Sequence, residues 1–411
     1  MKKISQLLYR SILKIKGDRS WECFENLKSR EFDGIDEIKK RQLVKLKRII
    51  DHAWKFDVYK KLWGKKPVIN KISDMEKLLI ITKKDFRGYS FDGRKDSTSG
   101  STGEPFEFFL DKKAYENKKA RGFLSYSNIG LEFGDKFCIL WGFHSGDVKG
   151  SIYRKFLQRV LSLSAFEMDD KNMHKYVFEI NKYKPKIIQA YTSAIYSLAK
   201  FMKRNNLSLE FKLRGIITSG ETPTSTQRKI IEDVFNTRII NRYGSREFGC
   251  IAQECEYGNM HMMEDFIVEE KNGNILVTDL NNFSMPFIRY EIGDCGYIKN
   301  IGKCKCGRHS FIISELAGRV SDFILCPSGK IISLHYLTLL FQEYYEDIDG
   351  FQVIQKSPKD LDVRICKTTN NKFEELKKTL ETETGMNIKL IFVKNISLTN
   401  AGKRRIIEKI D

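Results

Sequence analysis

Two groups of residues stand out for what their types and spacing can do. The first is "DSTSGSTGEPFEFF", Asp96 to Phe109, which packs three Ser, two Thr and two Gly into seven consecutive positions ahead of an alternating apolar run. Glycines let backbone N–H groups converge on an anion and the hydroxyls add donors, so the loop suits a polyphosphate. It is not a Walker A loop, because Gly103 is followed by Glu-Pro where that motif needs Lys-Ser/Thr. A solvated linker has the same composition. The second group is Cys255-x5-His261 followed by Cys304-x-Cys306. Three thiolates and one imidazole are the donors of a structural Zn²⁺ site with no open catalytic position. Cys250 and His309 are spare candidates, and buried reduced cysteines without metal are the alternative.

Positioning such groups needs regular elements. From Phe106 the pattern alternates between strands and helices: "KFCILWGF" as a strand, "IIQAYTSAIYSLAKFMKRNN" as a strand and then a helix, "LRGIITSGE" as a strand, "TSTQRKIIEDVF" as a helix and "RIINRYGSREFG" as a strand. Such alternation predicts βαβ units and a mostly parallel sheet, with ligands at the carboxyl ends of the strands. Before it, "KISQLLYRSILKIKG" places Ile4, Leu7, Leu8, Ile12 and Ile15 at helical spacing among Lys and Arg, with Gly17 as a stop. This basic amphipathic helix packs on its own domain or lies on an anionic membrane surface. Helical patterning continues from Arg41 to Trp54, and a linker reaches Asp92. Beyond Leu316 a helix from Leu334 to Tyr345, the strands "FQVIQK" and "DLDVRIC", a helix from Phe373 to Glu383 and the strand "NIKLIFV" predict a separate α+β domain.

Composition narrows the function classes. At 411 residues the chain exceeds the span of one growing core, so two domains are expected. The net charge of +19 invites a nucleic-acid reading, but Lys and Arg are spread along the whole chain and no zinc-finger, RRM or basic-zipper signature is present. Specific nucleic-acid binding is not expected. Nine Cys, an odd number without a secretory signal, argue against a disulfide framework. No run approaches the roughly 18 apolar residues of a membrane span, so a cytoplasmic protein is expected, with peripheral contact at the inner face of the membrane as the helix's alternative.

Further along lie "TSGE" (Thr218–Glu221), "RYGSREFG" (Arg242–Gly249), "FIRYEIGD" (Phe287–Asp294), "ELAGRVSD" (Glu315–Asp322) and "TNAGKRR" (Thr399–Arg405). Together with the Ser/Gly loop, their order resembles the adenylate-forming superfamily of acyl-CoA ligases. The similarity is greatest to its phenylacetate–CoA ligase-like branch, which includes CapK-like proteins linked to capsular polysaccharide synthesis. The resemblance covers Asp96 to Ile407. It implies an α/β adenylate-forming fold, with a large N-terminal domain of mostly parallel sheets and a small mobile C-terminal α+β domain. The corresponding boundaries are a helical segment at 1–92, an AMP-binding core at 93–318 and a small domain at 319–411.

The resemblance also implies a reaction and its residues. A carboxylate attacks the α-phosphorus of ATP, pyrophosphate leaves, and a nucleophile takes the acyl group. Ser99, Ser101, Thr102 and Gly103 would hold the β- and γ-phosphates. Ser219, Gly220 and Glu221 would line the adenine side, with Tyr243 stacked on the base beside Gly244. Glu247 would hold Mg²⁺, Asp294 the ribose hydroxyls, and Arg319 would reach the nucleotide. Lys403 would swing in to bridge the carboxylate and the α-phosphate, placing positive charge where the transition state gathers negative charge. Asp322 falls at the hinge between the domains.

"LWGFHSGDVKG" resembles the loop that shapes the acyl pocket, putting Trp141, Phe143 and His144 against the acid, although Trp141 and Phe143 also read as core aromatics. The acceptor is open between CoA and an amine, including one on a sugar. Cys366 lies where bioluminescence relatives carry an acylated cysteine, and it reads equally as a core thiol. A homodimer, a relative without catalysis and a basic surface-binding module are the remaining alternatives.

Overall fold

The computed structural model describes residues 2–98, 106–142, 159–319, 323–333, 336–337, 340–341, 344, 347–367, 373–397 and 406–409; side chains are described from residue 6, except at 317, 319, 331, 333 and 367. Packing divides the chain into two compact units. One comprises 1–136, 150–160 and 240–316, and the other 137–149, 161–239 and 317–411.

The first unit begins with helices α1 (Lys2–Ile15), α2 (Ser20–Ser29), α3 (Ile35–Ala53) and α4 (Asp57–Trp63). The last of these occupies what sequence reading takes as linker; in seven residues it buries only Val58 and Tyr59, too few to show a period. A hairpin follows, β1 (Arg94–Ser97) antiparallel to β2 (Glu107–Leu110), and it brackets the Ser/Gly loop. Helix α5 (Lys112–Asn128) starts with the Asp111 side chain accepting the Ala114 N–H at 2.8 Å, an ordinary N-cap. Its buried face carries Glu116, Asn117, Arg121 and Ser125 among the apolar residues.

In the second unit, β3 (Phe137–Trp141), β4 (Val160–Ser164), α6 (Asp170–Tyr183), β5 (Ile187–Tyr191), α7 (Thr192–Arg204), β6 (Gly215–Ser219) and α8 (Ser225–Phe235) run in the expected alternation. Strands β3, β5 and β6 are parallel neighbours. Both β5 and β6 are buried at every position, which is why they read as continuous apolar runs.

Returning to the first unit, β7 (Ile239–Ser245) and β8 (Gly249–Glu254) form a tight antiparallel hairpin, where sequence reading gives one strand. Then come β9 (Met260–Met262), β10 (Phe266–Lys271), β11 (Asn274–Asp279), β12 (Tyr290–Lys303) and β13 (His309–Arg319), in the sheet order β10-β11-β12-β13-β9-β8-β7. The parallel arrangement therefore belongs to the second unit. Here β10 with β11, β11 with β12, β13 with β9, β9 with β8 and β8 with β7 all pair antiparallel. Beneath the sheet, Asp265 is buried against Arg121 at 3.1 Å and Lys45 at 2.9 Å, and these cations hold its carboxyl below the usual range against the opposing effect of burial.

The rest of the second unit holds the hairpin β14 (Phe323–Leu325) and β15 (Ile331–Ser333), then β16 (Ile348–Gln355), β17 (Asp360–Lys367), α9 (Glu374–Thr384), β18 (Asn387–Phe392) and β19 (Ile407–Lys409). The four-stranded order is β18-β17-β16-β19 around a separate apolar cluster in which Phe341 stacks on Phe351 at 3.7 Å. Most of the helix expected at 334–345 lies outside the described residues. Among the described residues no helix is long and apolar enough to cross a membrane.

Candidate functional site

The first unit assembles its candidate residues on the β7–β8 hairpin and β12. Gly244 lies at a register shift in the hairpin, and a Cβ there would sit 1.9 Å from the Gly249 carbonyl oxygen. Only glycine fits that approach. The turn between the strands presents Glu247, which is buried. Its Oε1 accepts a long hydrogen bond, 3.4 Å, from the Tyr290 hydroxyl on β12. Burial and then the Glu247 charge hold the Tyr290 phenol well above its ordinary pKa, so it stays a donor. Among the described residues no lysine or arginine makes an ion pair with Glu247. On the same strands the Tyr243 hydroxyl donates to Asp294 Oδ2 at 2.8 Å. Strands β7 and β12 are separated in the sheet by β8, β9 and β13, so the sheet curls to bring these side chains together.

The base of the Ser/Gly loop joins this turn. Asp96 on β1 pairs with Arg246 at 3.0 Å. The Lys118 ammonium on α5 donates to the Arg246 carbonyl at 2.5 Å, and desolvation brings its pKa down to about 8. No motif in the sequence contains Lys118, and Tyr290 lies within "FIRYEIGD" without being assigned a role there. A signal for Tyr290 is nevertheless present: at four residues from Asp294 on one strand, the two share a face.

In the second unit, Ser219 ends β6 and Gly220 follows with φ +85°, at the carboxyl end of a parallel strand. The Glu221 carboxylate accepts from the Ser193 N–H at 2.7 Å and the Ser193 hydroxyl at 3.0 Å, while its carbonyl accepts from Thr192 at 2.7 Å. Glu221 thus caps the N-terminus of α7 and fixes the turn. Trp141, at the end of β3, stacks on Tyr191 at the end of β5, with ring centroids 4.0 Å apart.

Cys255, His261, Cys304 and Cys306 come together in the first unit with their ligand atoms all within 4.8 Å of one another. Cys255 and Cys304 sulfurs are 3.9 Å apart, and the Cys306 sulfur lies 3.4 Å from His261 Nε2. A tetrahedral ion with bonds of ~2.3 Å to sulfur and ~2.0 Å to nitrogen requires about these separations. With Nε2 facing the cluster, Nδ1 is left to donate to the Ser310 hydroxyl, 2.7 Å away, which fixes the ring as an outer hydrogen-bond acceptor does in metal-binding imidazoles. Burial raises the Cys304 thiol, but hydrogen bonds from the Cys306 backbone and Asn259 outweigh it and leave the pKa below its ordinary value. Cys250 bonds the Ala252 carbonyl instead. Cys366, outside the cluster, bonds the Lys394 carbonyl at 2.8 Å.

Ser99, Ser101, Thr102, Gly103, Phe143, His144, Asp322 and Lys403 lie outside the described residues, as does the Arg319 side chain.

Known proteins resemble this chain both in sequence and in fold. Residues 324–409 match the family described as "CapK C-terminal domain". The chain is 27% identical to Protein CapK of Staphylococcus aureus over 345 residues, 79% of this chain and 75% of that protein. It is 23% identical to phenylacetate-coenzyme A ligase of Thermus thermophilus over 363 residues, 80% of each. Among solved structures, 2-hydroxyisobutyryl-CoA ligase in complex with 2-HIB-AMP superposes with a TM-score of 0.73 at 17% identity, covering 93% of this chain and 91% of that one. The amide bond synthetase McbA from Marinactinospora thermotolerans gives a TM-score of 0.53 at 15% identity over 75% and 67%. These structural likenesses establish the adenylate-forming fold, α/β with parallel and antiparallel strands and a small C-terminal sheet. In sequence the chain is similar to the CapK/phenylacetate–CoA ligase-like branch of the adenylate-forming ligases, and its fold is the one those enzymes share.

Proposed function

We propose that this protein activates a carboxylic acid with ATP to an acyl-adenylate, releasing pyrophosphate, and passes the acyl group to a thiol or an amine. The observation that carries this reading is Glu247: a buried carboxylate with one long hydrogen bond and no described cation as ion-pair partner, set beside the Tyr243–Asp294 bond. Burying an ionised carboxylate is costly unless positive charge compensates it, and a hard divalent cation bound to phosphate oxygens supplies that charge. Mg²⁺ held there would neutralise phosphate charge as pyrophosphate departs.

Asp294 accepts the ribose hydroxyls, oriented by Tyr243, whose ring faces the base. The Asp96–Arg246 pair holds one end of the Ser99–Gly103 loop, whose hydroxyls and amides bind the β- and γ-phosphates. Ser219 and Gly220 approach the adenine while Glu221 secures their turn; Arg319 reaches the nucleotide. Lys403 supplies charge at the α-phosphorus, and Asp322 is the pivot by which a small domain, 319–411, exchanges the two half-reactions. Trp141, with Phe143 and His144, lines the acid pocket. The Cys255/His261/Cys304/Cys306 set holds a structural Zn²⁺.

Relatives named as CoA ligases and as an amide bond synthetase support both acceptor classes, CoA and amine. A sugar-linked amine in cell-surface polysaccharide synthesis is the acceptor that the motif resemblance to the capsular branch suggests. The test is pyrophosphate release from Mg·ATP with pooled carboxylic acids and hydroxylamine as trap, in wild type and Lys403→Ala. Acid-dependent release that collapses in the variant is expected. ATP binding without release from any pool would refute the ligase step, and absence of ATP binding would refute the nucleotide site.

A further inference from the structure

Helix α1 is apolar on two sides, and packing accounts for only one of them. Tyr9 and Leu13 are buried, with Tyr9 stacked on Phe133 at 4.1 Å and edge-on to Phe123. Those contacts are enough to seat the helix. Leu7, Leu8 and Ile15 lie on the other side at 64%, 50% and 84% exposure. At ~100° per residue, Leu8 and Ile15 fall within about 20° of each other and Leu7 lies on their flank, so the three form one stripe. A folded monomer gains nothing by holding three large aliphatic side chains in water on one helix face.

The charge carried by α1 itself is of one sign. Helix α1 contains Lys2, Lys3, Arg10 and Lys14 and no Asp or Glu. The next acidic residue, Asp18, is engaged by Lys119. Arg10 lies 4.6 Å over the Trp21 ring and pairs with Glu25 on α2 at 3.4 Å, whereas Lys14 is exposed. An apolar stripe on a helix whose own charges are all positive is complementary to a surface that is apolar beneath and anionic at its face. We infer that α1 docks the protein on an anionic lipid surface, with Leu7, Leu8 and Ile15 inserted at the acyl boundary and its basic residues on the headgroups. The inference is independent of the ligase chemistry.

Co-sedimentation of the full chain with phosphatidylcholine vesicles, with and without phosphatidylglycerol, tests it. Binding is expected only when phosphatidylglycerol is present, weakened by salt, and reduced at least ~10-fold in Leu7→Gln/Leu8→Gln/Ile15→Gln. Those side chains are exposed, so the variant keeps its thermal midpoint; Lys14→Glu, which spares the stripe, also weakens binding. Absence of sedimentation with either vesicle overturns the inference, as does equal, salt-insensitive binding to both. A wild-type dimer by light scattering that becomes a monomer in the triple variant, without vesicle binding, assigns the stripe to a second copy of the chain and overturns it too.

Discussion

Asp279→Asn is the substitution whose outcome the structure constrains most closely. Asp279 ends β11 fully buried, and desolvation pushes its carboxyl up to about 6, with Arg121 partly opposing and Asp265 and Asp111 adding to the rise. A carboxylate whose pKa is higher in the fold than in the unfolded chain favours folding when protonated. Its contribution is fully present below the unfolded value of 3.8 and is lost as the pH rises through about 6. At pH ~7.5 the ionised group therefore costs about 3 kcal/mol, at ~1.4 kcal/mol per pH unit of displacement. Asparagine keeps the acceptor for the Asn281 N–H, now at 2.8 Å, but adds an amide donor in a buried place, a penalty of about 1–2 kcal/mol. The net expectation is a gain of about 1–2 kcal/mol near neutrality.

The pH dependence is the sharper part. Between pH ~7.5 and ~4.5 the wild-type penalty shrinks by about 2 kcal/mol, so the advantage of the variant should vanish or reverse. Asp265, which Lys45 and Arg121 hold well below the usual carboxylate range, stays ionised across this window in both proteins and cancels in the difference. Urea unfolding followed by tryptophan fluorescence suits the measurement, because Trp21, Trp54 and Trp63 lie in the same unit as Asp279. A difference between variant and wild type that stays constant across this pH range would refute the reasoning.

Gly244→Ala should prevent soluble expression or lower the thermal midpoint severely, since its Cβ meets a backbone oxygen at 1.9 Å; Gly122→Ala, in an open position within α5, should instead stabilise by about 1 kcal/mol. Tyr243→Phe keeps the ring and removes the 2.8 Å bond to Asp294; a hydrogen bond to a charged group is worth about 1.5–3 kcal/mol, so KM for ATP should rise at least ~10-fold with kcat within about twofold. An unchanged KM would show that Asp294 needs no such orientation. Purified protein should carry about one zinc per chain by atomic emission, and Cys306→Ser should lose most of it on dialysis against a chelator. Zinc-free wild type with intact thiols would discard the metal reading.

What is legible in the sequence and what is not divide along physical lines. Strands β5 and β6 are buried throughout and separated by helices, so their apolar runs announce them. The C-terminal pair β16 and β17 and helix α9 have clean apolar periodicity, and α1 likewise. Helix α5 escapes a reading of the sequence because its interior face is polar: Glu116 accepts the Arg19 N–H at 3.0 Å and Arg121 donates to the Phe248 carbonyl at 2.9 Å. Such a face erases the hydrophobic period on which helix recognition depends. Strands β8 and β12 escape for a related reason. The first follows β7 almost directly and carries the polar Gln253 at a buried position, and the second loses alternation after Ile292.

The chemistry of the candidate site is legible residue by residue, but its assembly is not. Glu247 and Asp294 stand 47 positions apart on elements that are not sheet neighbours. Their connection runs through two tyrosines, Tyr290 to the first and Tyr243 to the second, and each tyrosine comes from the strand or hairpin that carries the other carboxylate. The two bonds therefore cross-tie the β7–β8 hairpin and β12, and loss of either carboxylate removes one tie and loosens the element that carries the other. Removing Asp294 and Glu247 together should consequently cost less than the sum of the single losses in nucleotide affinity. Strict additivity in that double-mutant cycle would mean that the carboxylates act alone and that the crossed tyrosines serve only to close the sheet.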